Sequence, residues 1–470
     1  MGIGSTHPDY DNQLERWRKN RDALAGQDAI HKGGRKYLPD DAEGSSALEA
    51  VQRYNRYLAR ATWTPVTTYT RDGLLGAAFL KPPAVELPEA MELLIENIDG
   101  AGRGIEQFAK YVVSEAISVG RVGLLVEYPL ASTENRALMP RVVAYEAEAI
   151  DNWRFDYDAT GNLVLLMVKL REPAQVWTDE FTVKSVMRYR VLRLNENGRY
   201  EQGLYDENGL LVGDLIEPRM ADGSAWTHIP FYFVGANDNQ PDVDVPLING
   251  IVDLNLKHYR VAADLAKNLH IHSGGMLVIS SALSVDEWVE ANPNGITVGA
   301  DQGLFLGESG NAQLLQLAPS SQSHVELETI REEMVAVGAR LITRASGNQT
   351  AEAARIGASA ETSALGNLVG NASMAIKMAL ADCALFAGQN PDELDFEINT
   401  VFFNETVDPQ MLVAAMQLND RQKLSDESLV GLMQKANLVD ADIAPEDELD
   451  AAATNTVALD LPITLGGATE

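Results

Sequence analysis

Apolar residues recur at helical intervals from residue 10 to residue 60, with one break at Tyr37-Leu38-Pro39. Tyr54, Tyr57 and Leu58 share a face, with Arg53, Arg56 and Arg60 between them. A segment from Trp63 to Leu80 holds Gly73 and Gly76 and runs into Pro82-Pro83, a break before the next unit. Pro88 then opens a helix over PEAMELLIENID, with acids in its first turn where the helix dipole favours them. It stops at Gly100-Ala101-Gly102-Arg103-Gly104, and another helix is predicted from Ile105 to Val119, closed by Gly120. From there the pattern changes to short runs rich in β-branched and aromatic residues: Val122–Tyr128, Arg141–Tyr145, Leu163–Leu170, Phe181–Leu194 and Phe231–Val234. Glu196-Asn197-Gly198 and Glu207-Asn208-Gly209 mark hairpin turns. Residues 1–245 therefore read as one mixed region, helices first and an antiparallel sheet after.

Pro246 starts a different pattern. Leu247, Ile251, Leu254, Val261, Leu265 and Leu269 predict one apolar stripe on a long helix, with Lys257, Arg260 and Lys267 off it. A small α/β insertion follows from His270 to Ala318: strands at MLVIS, ITVG, LFLG and AQLLQL, and a helix over SVDEWVEAN capped by Ser284. Ser320 reopens the helical pattern, with Leu327, Ile330, Met334, Val337 and Leu341 on one face. Arg344 to Gln349, RASGNQ, is a polar break. A long Ala-rich helix is then expected from Thr350 to Phe386, although Gly357, Gly366 and Gly370 each cost it up to about 1 kcal/mol relative to alanine. Such a helix is packed closely or kinked. LDFEINTVFF predicts a last strand that rejoins the first region, and residues from Asp408 on read as acidic helices. Between residues 390 and 470 there are 17 acids, against Arg421, Lys423 and Lys435 as the bases.

Composition narrows the class. With 470 residues, 46% of them apolar, the chain has material for two or three domains with real cores. No apolar run long enough to cross a bilayer stands out, and the polar start MGIGSTHPDYDNQLERWRKN has no signal-peptide core, so no membrane partner is expected. The single cysteine, Cys383, lies in an Ala-rich apolar stretch and reads as a core residue in a protein folded under reducing conditions. A net charge of −31 argues against a conventional nucleic-acid binder, which carries a basic face. It is compatible with a wall along which DNA slides, because like charge keeps a polyanion from sticking.

Candidate chemistry is sparse. Gly100-x-Gly102-x-Gly104 lacks the preceding strand and the spacing of a dinucleotide loop and reads as a connector between helices. His270-x-His272 supplies two of the four ligands that a closed metal site needs, with no further ligand at an obvious spacing. No nucleophile elbow, phosphate loop, zinc-protease or calcium-loop motif is present, so neither catalysis nor a cofactor is expected. The most informative local feature is the polar loop RASGNQ between long helices, with Arg340, Arg344 and Arg355 around it. It reads either as an ordinary interhelical loop or as a loop projecting into a channel, where side chains touch phosphates without reading sequence.

The order of elements, together with specific residues, resembles the portal proteins of tailed bacteriophages, and one portal family long left uncharacterised in particular. The residues carrying the likeness are His7-Pro8-x-Tyr10, Tyr37-Leu38-Pro39, Tyr54-x-x-Tyr57-x-x-Arg60-Ala61, Thr70-x-x-Gly73-Leu74-x-Gly76 and Ala149-Ile150-x-x-Trp153. They continue through Leu254-x-x-x-His258-Tyr259-Arg260-x-x-Ala263-Asp264 and Ser346-Gly347-Asn348-x-Thr350-Ala351. The resemblance implies an α+β portal fold in named parts: a wing (1–245), a first stem helix (246–270), a clip (271–318) and a second stem helix (319–342). A tunnel loop (343–350), a long wing helix with a returning strand (351–407), a helical crown (408–450) and an acidic flexible tail (451–470) complete it. It further implies a non-enzymatic homo-oligomeric ring, usually of twelve subunits, at one vertex of the capsid in the virion.

The partners so implied are viral double-stranded DNA, held weakly and without sequence preference, the terminase motor, head-completion or tail adaptor proteins, and the major capsid or scaffolding protein. The candidate DNA-channel residues are Arg344, Ser346, Asn348 and Gln349 of the tunnel loop, with Lys257, Arg260, Lys267 and Arg340 as basic residues of the stem. Twelve copies at −31 each give the ring a charge of about −370, so most of the channel wall is expected to repel DNA. The alternatives are another head–tail ring protein such as an adaptor, against which the length of the chain speaks, and an acidic enzyme, for which the sequence offers no convergent set of reactive side chains.

Overall fold

The computed structural model describes residues 2–40, 47–127, 140–158, 160–273, 276–281, 283–293, 309–315, 322–342, 363–400, 402, 415–417, 419, 421, 423–435, 439 and 443–456. The chain divides into two units, Met1–Thr400 and Val401–Glu470. Helices and antiparallel sheets both build the first unit, an α+β arrangement.

Its N-terminal part consists of α1 (Pro8–Ala25), α2 (Gln27–Gly33), α3 (Ala47–Arg60), α4 (Val66–Ala78), the short α5 (Leu93–Glu96) and α6 (Ile105–Val119). His7 starts α1: its Nδ1 accepts the backbone N–H of Asp9 at 3.2 Å, and its ring stacks on Trp153 at 4.1 Å. Pro8 follows with φ already helical, and Asp9 and Asp11 lie in the first turn. Trp17 is fully buried, and its indole N–H donates to the Val119 carbonyl at 2.9 Å. One turn on, Arg21 holds Glu148 at 2.7 Å and Glu115 at 2.7 Å. Burial works against its charge, but hydrogen bonds to Glu148 and Glu115 outweigh it and raise the guanidinium pKa. Gly120 then ends α6 at φ 77°, with the Asp244 carbonyl only 2.5 Å from where a Cβ would sit, so no larger residue fits there.

The strand β2 (Arg121–Glu127) runs between β3 (Arg141–Glu146) and β8 (Phe231–Gly235), antiparallel to both. Every residue of β2 is buried, because α6 and the Ala-rich helix α10 (Ala364–Ala387) both pack against this strand. Its first residue, Arg121, is sandwiched between the Trp153 and Phe233 rings at 4.0 and 4.1 Å. Nε and both Nη atoms of Arg121 reach no hydrogen-bond acceptor among the described residues. Burial pushes its pKa down to about 9, against the opposing fields of Asp242, Asp9 and Asp244.

A second sheet follows, in the order β4 (Ile150–Tyr157), β5 (Leu163–Trp177), β6 (Val183–Leu194) and β7 (Tyr200–Tyr205). The strand at β5 is longer than the apolar run Leu163–Leu170 suggests. It continues through Pro173 to Trp177, paired with β6 all the way.

Several sequence expectations change at this level. The helix over PEAMELLIENID is a 3-10 turn at Glu89–Met91 followed by α5, because Leu93 and Ile95 have no core to face and stay 62% and 41% exposed. The long helix begins at Ala364, where the Ser363 hydroxyl accepts the backbone N–H of Gly366 at 3.1 Å and caps it. Residues 351–362 and Gly357 lie outside the described residues. Of LDFEINTVFF, β11 (Asp395–Glu397) is a strand, and it pairs with β1 (Ala84–Glu86) in a small sheet of their own. The Ser373 hydroxyl ties that sheet to α10 through the Phe396 carbonyl and the Ile398 N–H. By length and composition α10 could cross a membrane, but 61% of its most apolar window is buried inside the protein, as expected of a core helix. Cys383 lies on its buried face, and burial pushes the thiol pKa up. In the second unit, α11 (Asp426–Lys435) packs on α12 (Pro445–Thr456), which runs beyond residue 450, where a loose tail was expected.

Candidate functional site

Two long helices, α7 (Asn249–Ser273) and α9 (Gln322–Ile342), flank a small insertion. Gly250 lies against Val337 and Lys257 pairs with Glu326 at 2.7 Å, so the helices run antiparallel. On α9 the expected stripe is the one that packs: Leu327, Ile330 and Met334 are buried, and Val337 and Leu341 are half-buried. On α7 the buried face is rotated from the expected one. Ile251 is buried as predicted, but its companions are Ile248, Val252, Asn255, Leu256, His258, Tyr259 and Ala263. Leu247, Leu254, Val261 and Leu265 are half-buried, and Leu269 is 46% exposed.

The cause is aromatic and polar packing that a hydropathy pattern does not count. Tyr259 meets Trp63 edge-on at 5.7 Å and the His31 ring at 6.3 Å. His258 sits in the field of Arg331 and Glu328 of α9, and burial, with Arg331, lowers its pKa. The side-chain amide atoms of Asn255 and the Nε2 of His258 have no hydrogen-bond partner among the described residues.

The motif residues dispersed along the sequence converge on the other side of α7. The Tyr57 hydroxyl donates to Asp264 at 2.6 Å, and Arg260 Nε donates to the Tyr37 carbonyl at 2.9 Å. The Tyr54 hydroxyl donates to the Leu38 carbonyl at 3.2 Å, and the Lys267 ammonium lies 5.0 Å from the centre of the Tyr57 ring. Leu38, Pro39, Asp40, Tyr57, Arg260, Asp264 and Lys267 line a cavity of about 250 Å³ in this seam. The seam fixes the first long helix onto α3 and the Tyr37-Leu38-Pro39 turn. Burial, reinforced by Asp264, raises the Tyr57 pKa.

The structure therefore places the stem cations in different settings. Lys257 bridges α7 to α9, whereas Arg260 and Lys267 belong to the seam. Arg340 is on α9, but its side chain lies outside the described residues, as do Arg344, Ser346, Asn348 and Gln349. In the insertion, β9 (Met276–Ser280) pairs with β10 (Asn311–Leu315), and α8 (Val285–Ala291) carries a full capping box between Ser284 and Glu287. The expected strands ITVG and LFLG lie outside the described residues. His270 Nε2 lies 3.0 Å from the Arg60 guanidinium, and no group of three or more metal-binding side chains occurs among the described residues.

A polar cluster around the buried Asp382 has no signature in the sequence. Asp382 of α10 accepts the Tyr232 hydroxyl at 2.6 Å, and His228 Nε2 lies 3.2 Å from each of its oxygens. Its members are about 150 positions apart in sequence, and no local spacing announces them.

A family model described as a domain of unknown function, DUF4055, matches residues 246–387, the span of the helix pair, its insertion and α10. No curated protein matches the sequence. Among solved structures, the chain is similar to one from the virion of a native gene transfer agent particle, at 11% identity and a TM-score of 0.41, covering 87% of this chain and 98% of that one. A chain from the neck of the native particle, computed with C12 symmetry, is similar at 13% identity and a TM-score of 0.39, over 79% of this chain and 89% of that one. A chain from the neck of the empty particle, computed with C6 symmetry, gives 14% identity and a TM-score of 0.38, over 87% and 98%. Likenesses of this size carry no argument about what this chain does.

Proposed function

We propose that this chain is a structural, non-catalytic subunit of the head-to-tail region of a phage-like particle, and specifically of its portal ring. The observation that carries the reading is the antiparallel pair α7 and α9, which flanks an insertion and leaves apolar side chains uncovered on its outer faces. Leu269 is 46% exposed on α7, and Val325 and Val335 are 65% and 74% exposed on α9. A helix that buries one face and leaves apolar residues on another lacks a partner. In a closed ring the next subunit supplies it through a heterologous contact that repeats until rotation closes it.

On this reading the helix pair is the stem, and the insertion is the clip that meets terminase during packaging and adaptor proteins afterwards. The loop at 343–350 faces the DNA, with Arg344, Ser346, Asn348 and Gln349 touching phosphates. Arg340 adds basic charge to the stem, while Lys257 ties α7 to α9 and Arg260 and Lys267 hold α7 in place. The ring occupies one capsid vertex of the virion and contacts the major capsid or scaffolding protein. Its acidic wall guides DNA and does not grip it. Replacing residues 344–349 with Gly-Ser tests the channel part of the proposal. The variant is expected to assemble normally and to yield particles with reduced genome content. Particles with a normal genome content would refute the role of the loop.

A further inference from the structure

A titratable side chain inside a helix interface makes the packing depend on protons, and α7 buries one. His258 is 3% exposed, and its Nε2 has no hydrogen-bond partner among the described residues. The contacts Lys257–Glu326 and Gly250–Val337 set the register of the two helices. That register brings His258 level with the turn of α9 that holds Leu327, Glu328 and Arg331. Leu327 and Ile330 are buried there, so this part of the interface is largely apolar. Asn255, three residues earlier on α7, is buried with both amide atoms unpartnered among the described residues, so it offers the ring no hydrogen bond.

The charged groups around α7 are engaged elsewhere. On α9, Glu328 holds Arg331 at 2.7 Å with both side chains more than half exposed, Glu326 pairs with Lys257, Glu333 acts on Lys257, and His324 is exposed. From α1, Lys19 pairs with Asp253. From α3, Tyr57 binds Asp264 and Arg60 meets His270, both nearer the C-terminal end of α7. The charged residues of α4, Arg71 and Asp72, pair with each other. Those of α10 are Lys377, paired with Asp395, and Asp382, bound to Tyr232 and His228. Burial opposes a charge on His258 most strongly, Arg331 adds to that, and Glu328 works the other way. A proton on the buried ring would make a cation whose Nε2–H has no acceptor, which costs more than an unpaired neutral group. Parting of the helices returns the ring to water and removes that cost.

We propose that His258 is a proton-sensitive latch between α7 and α9: neutral, it lets the two helices pack, and protonated in mildly acidic solution it releases α9. The interface lies within one chain, so the latch does not rest on the proposed ring. The open state takes up the proton at the ordinary value of about 6.5 and the closed state only at lower pH, so the closed pair loses stability as pH falls through about 6.5. Hydrogen exchange of the full-length protein, corrected for the intrinsic effect of pH, reads the opening of α9 directly. Between about pH 7.5 and about pH 5.5 the protection of residues 322–338 is expected to fall by about threefold to tenfold, tenfold being the limit set by an open-state value of about 6.5. In His258→Gln the same change of pH is expected to leave that protection within about twofold, which also separates His258 from the exposed His324. Arg331→Gln alters a side chain that is 54% exposed, removes the like charge and is expected to shrink the fall. A fall of less than about twofold in the unsubstituted protein, or an equal fall in His258→Gln, would overturn the latch. If His258→Gln does not fold, a fall in Arg331→Gln as large as in the unsubstituted protein overturns it instead.

Discussion

Replacing Arg121 with methionine is expected to stabilise the first unit by about 1–2 kcal/mol. The guanidinium is 2% exposed and has no acceptor among the described residues, and its pKa falls from 12.5 to about 9. At 1.36 kcal/mol per unit, the charged form carries a cost of about 5 kcal/mol relative to water. Stacking between Trp153 and Phe233 returns about 2 kcal/mol per desolvated ring face, or about 4 kcal/mol in all. The desolvation term is the larger of the two, so the charge does not stabilise the fold. Methionine removes both terms, keeps the chain between the rings and adds sulfur–aromatic contacts of about 0.3–1.5 kcal/mol. Arg121→Ala separates charge from packing, because it also empties the slot, and it is expected to destabilise by about 2–4 kcal/mol. Urea unfolding followed by tryptophan fluorescence reports both variants, since Trp153 forms one wall of the slot. A loss of more than about 1 kcal/mol in Arg121→Met would refute the reasoning and mean that the buried cation stabilises the fold.

Two further outcomes follow from the buried and half-buried tyrosines. Tyr57→Phe removes a hydroxyl bonded to a carboxylate at 2.6 Å and should lower stability by about 1–2 kcal/mol, read as a lower thermal midpoint; an unchanged midpoint would show that the seam does not hold α7. Burial raises the pKa of Tyr10, Tyr37, Tyr54, Tyr57, Tyr111, Tyr145, Tyr200, Tyr232 and Tyr259, the last to about 12. Above pH 10 the unfolded chain loses these protons while the folded chain keeps them, so stability should fall steeply as pH rises from 10. Arg121 acts in the opposite direction between pH 9 and 12.5, but as one group it is outweighed. A urea midpoint that holds steady from pH 9 to 11 would contradict this.

What was legible in the sequence depended on whether local pattern and tertiary contact pointed the same way. The face of α9 was readable because its buried side chains are aliphatic. On α7 the inward residues include Asn255, His258 and Tyr259, which a hydropathy stripe scores as outward, so the predicted face was rotated. The outer part of β5 was hidden by Pro173, which normally argues against a strand. It is tolerated because, among the described residues, no strand pairs with β5 on that side beyond Leu170. Motif residues such as Tyr37, Tyr57, Arg260 and Asp264 were recognisable as a set, but their joint work in one seam appears only when residues 223 positions apart in sequence meet. The contacts of Asp382 with Tyr232 and His228 are equally long in range and left no trace in local spacing.

Electron microscopy of the purified full-length protein under assembly conditions tests the central claim most directly. The account predicts closed rings, seen end-on with a central hole and side-on with a narrow stem below a broader wing. Particles that remain monomeric at micromolar concentration, or that associate without closing, would contradict it.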